Sequence, residues 1–207
     1  MKNVVAVFAM ITLAACATST PDRAVKAASS LQVMQDNSSK ARAQIDTVLA
    51  SLDVLMEAPA DRLRETYDRY DRDVKQMNEY ADDMRENDAD LRKNGNTYLA
   101  QWQRDASNVS DPELRALSEQ RRDEIVRSSQ DMRSTVTEAA GSFEAFLRDI
   151  NDIKKVMGND LTATGQSDVR RTTVAQTARS EGARVKAMVH RAEQAIQGFR
   201  SQITPTS

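Results

Sequence analysis

A single cysteine, a single histidine and a single tryptophan are all that 207 residues contain of three types that often carry chemistry. One cysteine excludes a disulfide framework, which needs an even set. One histidine, His190, leaves a histidine-based zinc site or a catalytic triad with nothing else to draw on. A diiron site of the ferritin kind needs Glu-x-x-His pairs on two helices, and the residue three before His190 is Ala187. His190 therefore reads as an exposed polar helix residue. Aromatics are only 4% of the chain, little for a broad, pocketed core. With 6 glycines and 4 prolines there is scant material for turns. The 29 basic residues do not exceed the 31 acidic ones, so no basic face for nucleic acid is expected.

The one sustained apolar run lies at the start. Lys2 gives a small positive n-region, and residues 4–15 are apolar apart from Thr12. About a dozen residues cannot span a bilayer core, which needs roughly 20. The run has the layout of an export signal, ending in Leu13-Ala14-Ala15-Cys16. That ending resembles a bacterial lipobox, whose cysteine becomes the lipid-modified first residue of the mature protein. The expectation is a lipoprotein signal peptide over 1–15 and lipidation at Cys16. Two or more acyl chains anchor stably where one binds marginally. The following Ala17 is not the aspartate that resembles an inner-membrane retention signal. This favours the outer membrane, with the protein facing the periplasm. The mature chain would then hold 192 residues, Cys16 to Ser207.

Beyond a short tether over 16–22, helical periodicity runs almost without interruption. A first helix is expected from Arg23 to Met56, with apolar positions at Leu31, Met34, Ser38, Ala41, Ile45, Val48, Leu52 and Leu55. The steps alternate three and four, the heptad spacing of paired helices. Ala58-Pro59-Ala60-Asp61 breaks it, and Asp61 is placed to cap the next helix. The second helix spans Arg62 to Asn108 through Leu63, Tyr67, Tyr70, Val74, Met77, Ala81, Met84, Asp88, Leu91, Gly95, Tyr98 and Trp102. It should be roughly 70 Å long. Asp111-Pro112-Glu113 is a strong helix start, because proline at the first position gives up an N–H that has no partner there.

The third helix continues to Met157 through Ile125, Ser129, Met132, Val136, Ala139, Phe143, Phe146, Ile150 and Ile153. Gly158 is expected to stop it as a left-handed cap. A loop over 159–166 follows, and Ser167 would cap a fourth helix running through Val174, Ala178, Val185, Met188, Ala192, Ala195 and Phe199 to Ile203. The tail is 204–207. The fold expected over 23–203 is one all-α domain, an elongated antiparallel four-helix bundle with coiled-coil-like heptad seams.

Several stretches carry a family likeness. They are Gly95-Asn96-Thr97-Tyr98 with Trp102, Pro112-Glu113-Leu114-Arg115, and Ser118-Glu119-Gln120-Arg121. The most specific is Asp149-Ile150-Asn151-Asp152-Ile153 leading into Gly158-Asn159-Asp160-Leu161-Thr162. On these the chain, from about Gln44 to Ile203, resembles the DUF2959 family, bacterial helical envelope proteins. The resemblance implies a helical lipoprotein or secreted protein and supplies no activity and no site residue. Phe143-Glu144-Ala145-Phe146-Leu147 lacks a proline that the family pattern would place there.

Other features yield little chemistry. Asp82, Asp83, Glu86, Asp88 and Asp90 are interleaved with Arg85, Arg92 and Lys93 and scatter over several helical faces, as a solvated surface does. Asp88 alone falls on the apolar stripe. It should pair with a neighbour such as Arg121 or Arg122, or mark a wet gap, and it is read as a buried polar register residue. Tyr98 and Trp102, one turn apart beside Gly95, read as packing, with an aromatic platform for sugar or peptide as the rival. Seven of the nine methionines lie beyond the leader, most of them on or beside the stripes, as adaptable filler.

Partner-facing loops are expected at Pro59 and Asp61, and at Asn159, Asp160, Thr162 and Gly165. The function expected is a non-enzymatic envelope lipoprotein acting as a helical spacer, scaffold or adaptor. It would need no cofactor and would meet the membrane through its acyl chains and protein partners at its loops. The alternative is a lipid-active amphipathic helical protein. Against it stand narrow stripes with charge on both flanks, where a lipid-binding helix has a broad apolar face.

Overall fold

The structure, a computed structural model, describes residues 20–204 and side chains from Asp22 onward. The expected leader over 1–15, Cys16 and the last three residues of the tail lie outside the described residues. Every described element is helical: α1 (Thr20–Glu57), a short 3-10 turn (Ala60–Arg62), α2 (Leu63–Ser107), α3 (Pro112–Asn159), α4 (Ala163–Arg170) and α5 (Thr173–Ile203). The described residues are thus all-α, as expected, but with five α-helices among them. The first begins three residues before Arg23, at Thr20, with Pro21 in its first turn, where a missing N–H costs little.

The eight positions expected to be buried on α1, from Leu31 to Leu55, are all buried. On α2 and α3 the same holds for Leu63, Tyr70, Val74, Met77, Ala81, Leu91 and Tyr98, and for Ile125, Ser129, Met132, Ala139, Phe143, Phe146, Ile150, Ile153 and Met157. Each fully buried aliphatic or aromatic side chain is worth roughly 1.5–3 kcal/mol, which fixes which faces turn inward. The contacts concentrate on four pairs: α1 with α2, α1 with α5, α3 with α2, and α3 with α5. Buried polar residues bond locally where they can. Ser51 Oγ donates to Val48 O at 3.0 Å, and Thr66 Oγ1 to Arg62 O at 3.0 Å.

On α5 the expected stripe is corrected. The buried positions are Ala178, Gly182, Val185, Val189, Ala192, Ile196, Phe199 and Ile203, whereas Met188 and Ala195 lie on the flank and Val174 is exposed. The stripe passes through Gly182, which has no apolar side chain to mark it. There α5 comes close to α1: a Cβ on Gly182 would lie 2.6 Å from Leu49 Cδ1 and 3.2 Å from Ile45 Cγ2.

Gly158 is not a left-handed cap. No described glycine has positive φ, and α3 runs one residue further, with the Asp160 N–H donating to Val156 O at 3.2 Å. Its small size serves packing instead, since a Cβ there would meet Tyr67 Oη at 2.4 Å. The cap expected at Asp111 is formed: its carboxylate accepts from the N–H groups of Glu113 and Leu114, both at 2.9 Å, with Pro112 at the first helical position. Helix α3 is continuous through 143–147.

Candidate functional site

At one end of the molecule the α1–α2 connection meets the α3–α5 connection. The expected open loop over 159–166 is instead largely the short helix α4, packed down. Thr162 Oγ1 accepts from the Gly165 N–H at 3.1 Å and donates to Asp160 Oδ1 at 2.7 Å. Val169 enters the core. The Gln166 amide donates to Leu55 O at 2.7 Å and Ala58 O at 3.0 Å, so α4 ties down the end of α1 and the residue just beyond it, whose N–H also reaches Leu55 O at 3.4 Å. Ser167 lies inside α4, and α5 is capped by Thr172, whose Oγ1 accepts from the Ala175 N–H at 3.3 Å. Asp61 sits in the 3-10 turn; the residue preceding that turn, Pro59, offers no side-chain cap.

Of the loop residues expected to face a partner, Pro59, Asp61, Asn159, Asp160 and Thr162 are exposed. Gly165 is buried, and a Cβ on it would stand 2.4 Å from Asp160 O. That end is a polar surface of mixed charge, with Glu57, Asp61, Asp160 and Asp168 exposed beside Arg62 and Arg171.

Midway along the molecule the buried residues separate into two clusters. Between them lies a cavity of about 170 Å³, walled by Met34, Met84, Val136, Phe143, Val189 and Ile196. All four long helices carry a small residue here: Ser38, Ala81, Ala139 and Ala192. An apolar cavity of roughly 150 Å³ can take a benzene-sized molecule, so this one has room for a small apolar group. Charged pairs edge the gap. Arg85 bonds Asp82 and bridges to Glu144 on α3, with Nε at 3.0 Å, and Arg92 Nε donates to Asp88 Oδ2 at 2.8 Å.

Asp88 therefore marks the gap, and the pairing with Arg121 or Arg122 is not formed. Those arginines bond Glu124 and Asp123, each at 3.0 Å. A carboxylate bonded to its own helix cannot fix the register of two. That role fits Asn78 on α2 and Asn151 on α3, which exchange amide hydrogen bonds at 3.2 and 3.1 Å. Each amide also donates to a carbonyl of its own helix, Val74 O at 2.7 Å and Leu147 O at 2.8 Å. Nearby, Tyr70 Oη donates to Ile150 O at 2.8 Å and Tyr67 Oη to Lys154 O at 3.3 Å. Burial pushes the Tyr70 phenol far above its ordinary value.

The residue that sequence reading missed is Glu193, a carboxylate only 6% exposed. Ser39 Oγ donates to its Oε1 at 3.0 Å and Arg42 Nε reaches the same oxygen at 3.3 Å, both from α1. His190 Nδ1 lies 3.2 Å from Oε2. His190 is exposed, as expected, and is also joined to a buried acid. Its neighbours are glutamate, arginine, serine and glutamine, and no group of three metal-ligating residues forms among the described residues. The signal for Glu193 was its position three before Ile196, hidden by the misphased stripe.

Tyr98 and Trp102 pack as tilted rings, 5.6 Å between centroids, and Trp102 Nε1 donates to Ser118 Oγ at 2.9 Å. The packing reading fits this arrangement. No neighbouring backbone comes close at Gly95: a Cβ there would meet only the Arg133 side chain, at an ordinary 3.5 Å. Among the described residues no helix is long and apolar enough to cross a membrane.

No curated protein and no solved structure matches the chain. A family described as "Protein of unknown function (DUF2959)" matches residues 22–204, nearly all that the structure describes, and the chain belongs to that family.

Proposed function

We propose that this protein is a non-enzymatic lipoprotein of the bacterial envelope, held by acyl chains on Cys16 to the outer membrane and facing the periplasm. In this reading the four long helices form an elongated antiparallel four-helix bundle with heptad seams. It acts as a spacer, scaffold or adaptor. The observation that carries it is the separation of the two ends. α1 starts at Thr20 at one end, and the exposed Pro59, Asp61, Asn159, Asp160 and Thr162 cluster at the other. Thirty-eight residues of α1 lie between them, roughly 57 Å of helix. A protein partner is expected at that far surface.

Support for a rod over an opening, lipid-active protein comes from where the apolar side chains are. They lie mostly in the interior, and seven large ones are exposed among the described residues, three on α1, three on α3 and one on α5. Circular dichroism of the fragment from Ala17, with and without liposomes, separates the readings. Cooperative melting unchanged by liposomes is expected. Helicity or melting that shifts on liposome addition would favour the lipid-active protein. Crosslinking in intact envelopes through Asp160→Cys should then trap a partner that crosslinking from mid-rod positions does not.

A further inference from the structure

The α2–α3 hairpin outruns α5 at the end where Thr20 lies. Asn94 on α2 is level with Ser30 on α1 through a 2.8 Å hydrogen bond between their side chains. From there α2 continues to Ser107, roughly 20 Å, and Thr20, the first described residue of α1, lies roughly 15 Å along the same direction. On the other side Arg121 reaches Gln202 O at 3.4 Å, close to the end of α5. The residues from Arg121 back to Pro112 carry α3 roughly 14 Å further. On that side the hairpin tip is therefore an overhang whose inner face has lost the cover of α5.

Burial follows that geometry. Tyr98, Ile125, Phe199 and Ile203 are buried just below the overhang. Leu114 and Leu117, one turn apart on it, are 60% and 62% exposed, the most exposed large apolar residues described. The tip carries Arg104 and Arg115 but also Asp105, Asp111, Glu113 and Glu119, so its charge offers no attraction to an anionic surface.

We propose that this tip rests on the bilayer to which Cys16 is anchored, with Leu114 and Leu117 set into the headgroup boundary. The inference rests on the lipoprotein reading and adds an orientation to it. Cys16 is four residues before Thr20, and four residues of chain span at most roughly 14 Å. The end of α2 passes Thr20 by roughly 5 Å, so the tip meets the surface before the tether is fully drawn out. With no basic excess at the tip, the contact is apolar and proceeds on neutral lipid. The lipid anchor fixes the protein to the membrane; the tip makes the rod stand upright on it.

The test uses the full-length lipidated protein in phosphatidylcholine vesicles, with Leu117→Cys carrying an environment-sensitive fluorophore. With Cys16 acylated, the new cysteine is the one free thiol, and mass spectrometry counts a single label. Thr162→Cys, at the far end, is the control. Expected is a blue shift and strong quenching by spin-labelled phosphatidylcholine at 117, with neither at 162, and no change when anionic lipid is added. If the protein stays on vesicles but position 117 is unquenched, the contact is overturned while the anchor stands. Quenching at both positions also overturns it, since the rod then lies flat. A second label on Cys16, together with loss from vesicles, sinks the anchor and the contact with it.

Discussion

At the scale of single residues, polar side chains do what the apolar stripes alone cannot. Tyr70 is buried with its hydroxyl on Ile150 O, so Tyr70→Phe should cost about 1 kcal/mol, read from denaturant unfolding. Its raised pKa also sets an alkaline limit. The unfolded chain releases the phenolic proton near the ordinary tyrosine value of about 10 while the folded one holds it. Stability is therefore fully present below that pH and falls above it; Tyr70→Phe should flatten the fall. Asp71 works the other way. Burial raises its carboxyl, but the hydrogen bonds and charges of Lys75 and Lys154 outweigh burial and leave it below the ordinary value. Its contribution is present above the ordinary carboxylate range and is lost as pH falls through the folded value, and Asp71→Asn should remove that acid sensitivity.

Asp88 was legible in the sequence as an anomaly on an apolar stripe; its partner was not. Asp88→Leu should leave the fold intact and gain up to about 1 kcal/mol by covering apolar wall. For a domain of this size that is a rise of roughly 2–4 °C in Tm. A marked fall in Tm would mean that the Asp88–Arg92 pair holds the gap open for a structural reason.

At the scale of elements, local signals were reliable where backbone chemistry set the boundary. Asp111-Pro112 started α3 because an acceptor followed by a residue lacking an N–H suits the first turn and little else. Signals failed where packing decided. Gly158 looked like a stop but lies inside α3, where its missing Cβ makes room for Tyr67. The segment after it looked like a loop, lying between Gly158 and Gly165, yet Val169 and Gln166 give α4 a reason to dock. Two tests belong here. Gly165→Ala should destabilise by roughly 1–3 kcal/mol, because the Asp160 carbonyl it would strike is backbone and cannot swing aside. Gln166→Ala should cost about 1–2 kcal/mol by releasing two carbonyls at the end of α1, and hydrogen exchange should quicken there first.

At the scale of the whole molecule, the proposed role depends on ends rather than on a catalytic centre. Cys16→Ser should release a folded, equally helical protein into the soluble fraction, measured by fractionation and circular dichroism. A variant that stayed on membranes would remove the lipid anchor from the account. The mid-length cavity divides the core into two clusters, so the two halves of the rod can differ in stability. Hydrogen exchange resolved along α2 would show that difference as a step near Met84.

The sequence by itself determined that the chain is helical, where α3 starts, and which faces of α1, α2 and α3 turn inward. Each follows from short-range rules: helical period, capping chemistry, and the cost of leaving apolar stripes in water. Tertiary structure alone decided the phase of α5, the docking of α4, the burial of Glu193 and the overhang of the α2–α3 hairpin. These depend on which residues of distant segments come level with one another. Gly182 and Gly158 show why that was illegible: a glycine prints no apolar signal, yet its absent side chain sets how closely a neighbour may approach.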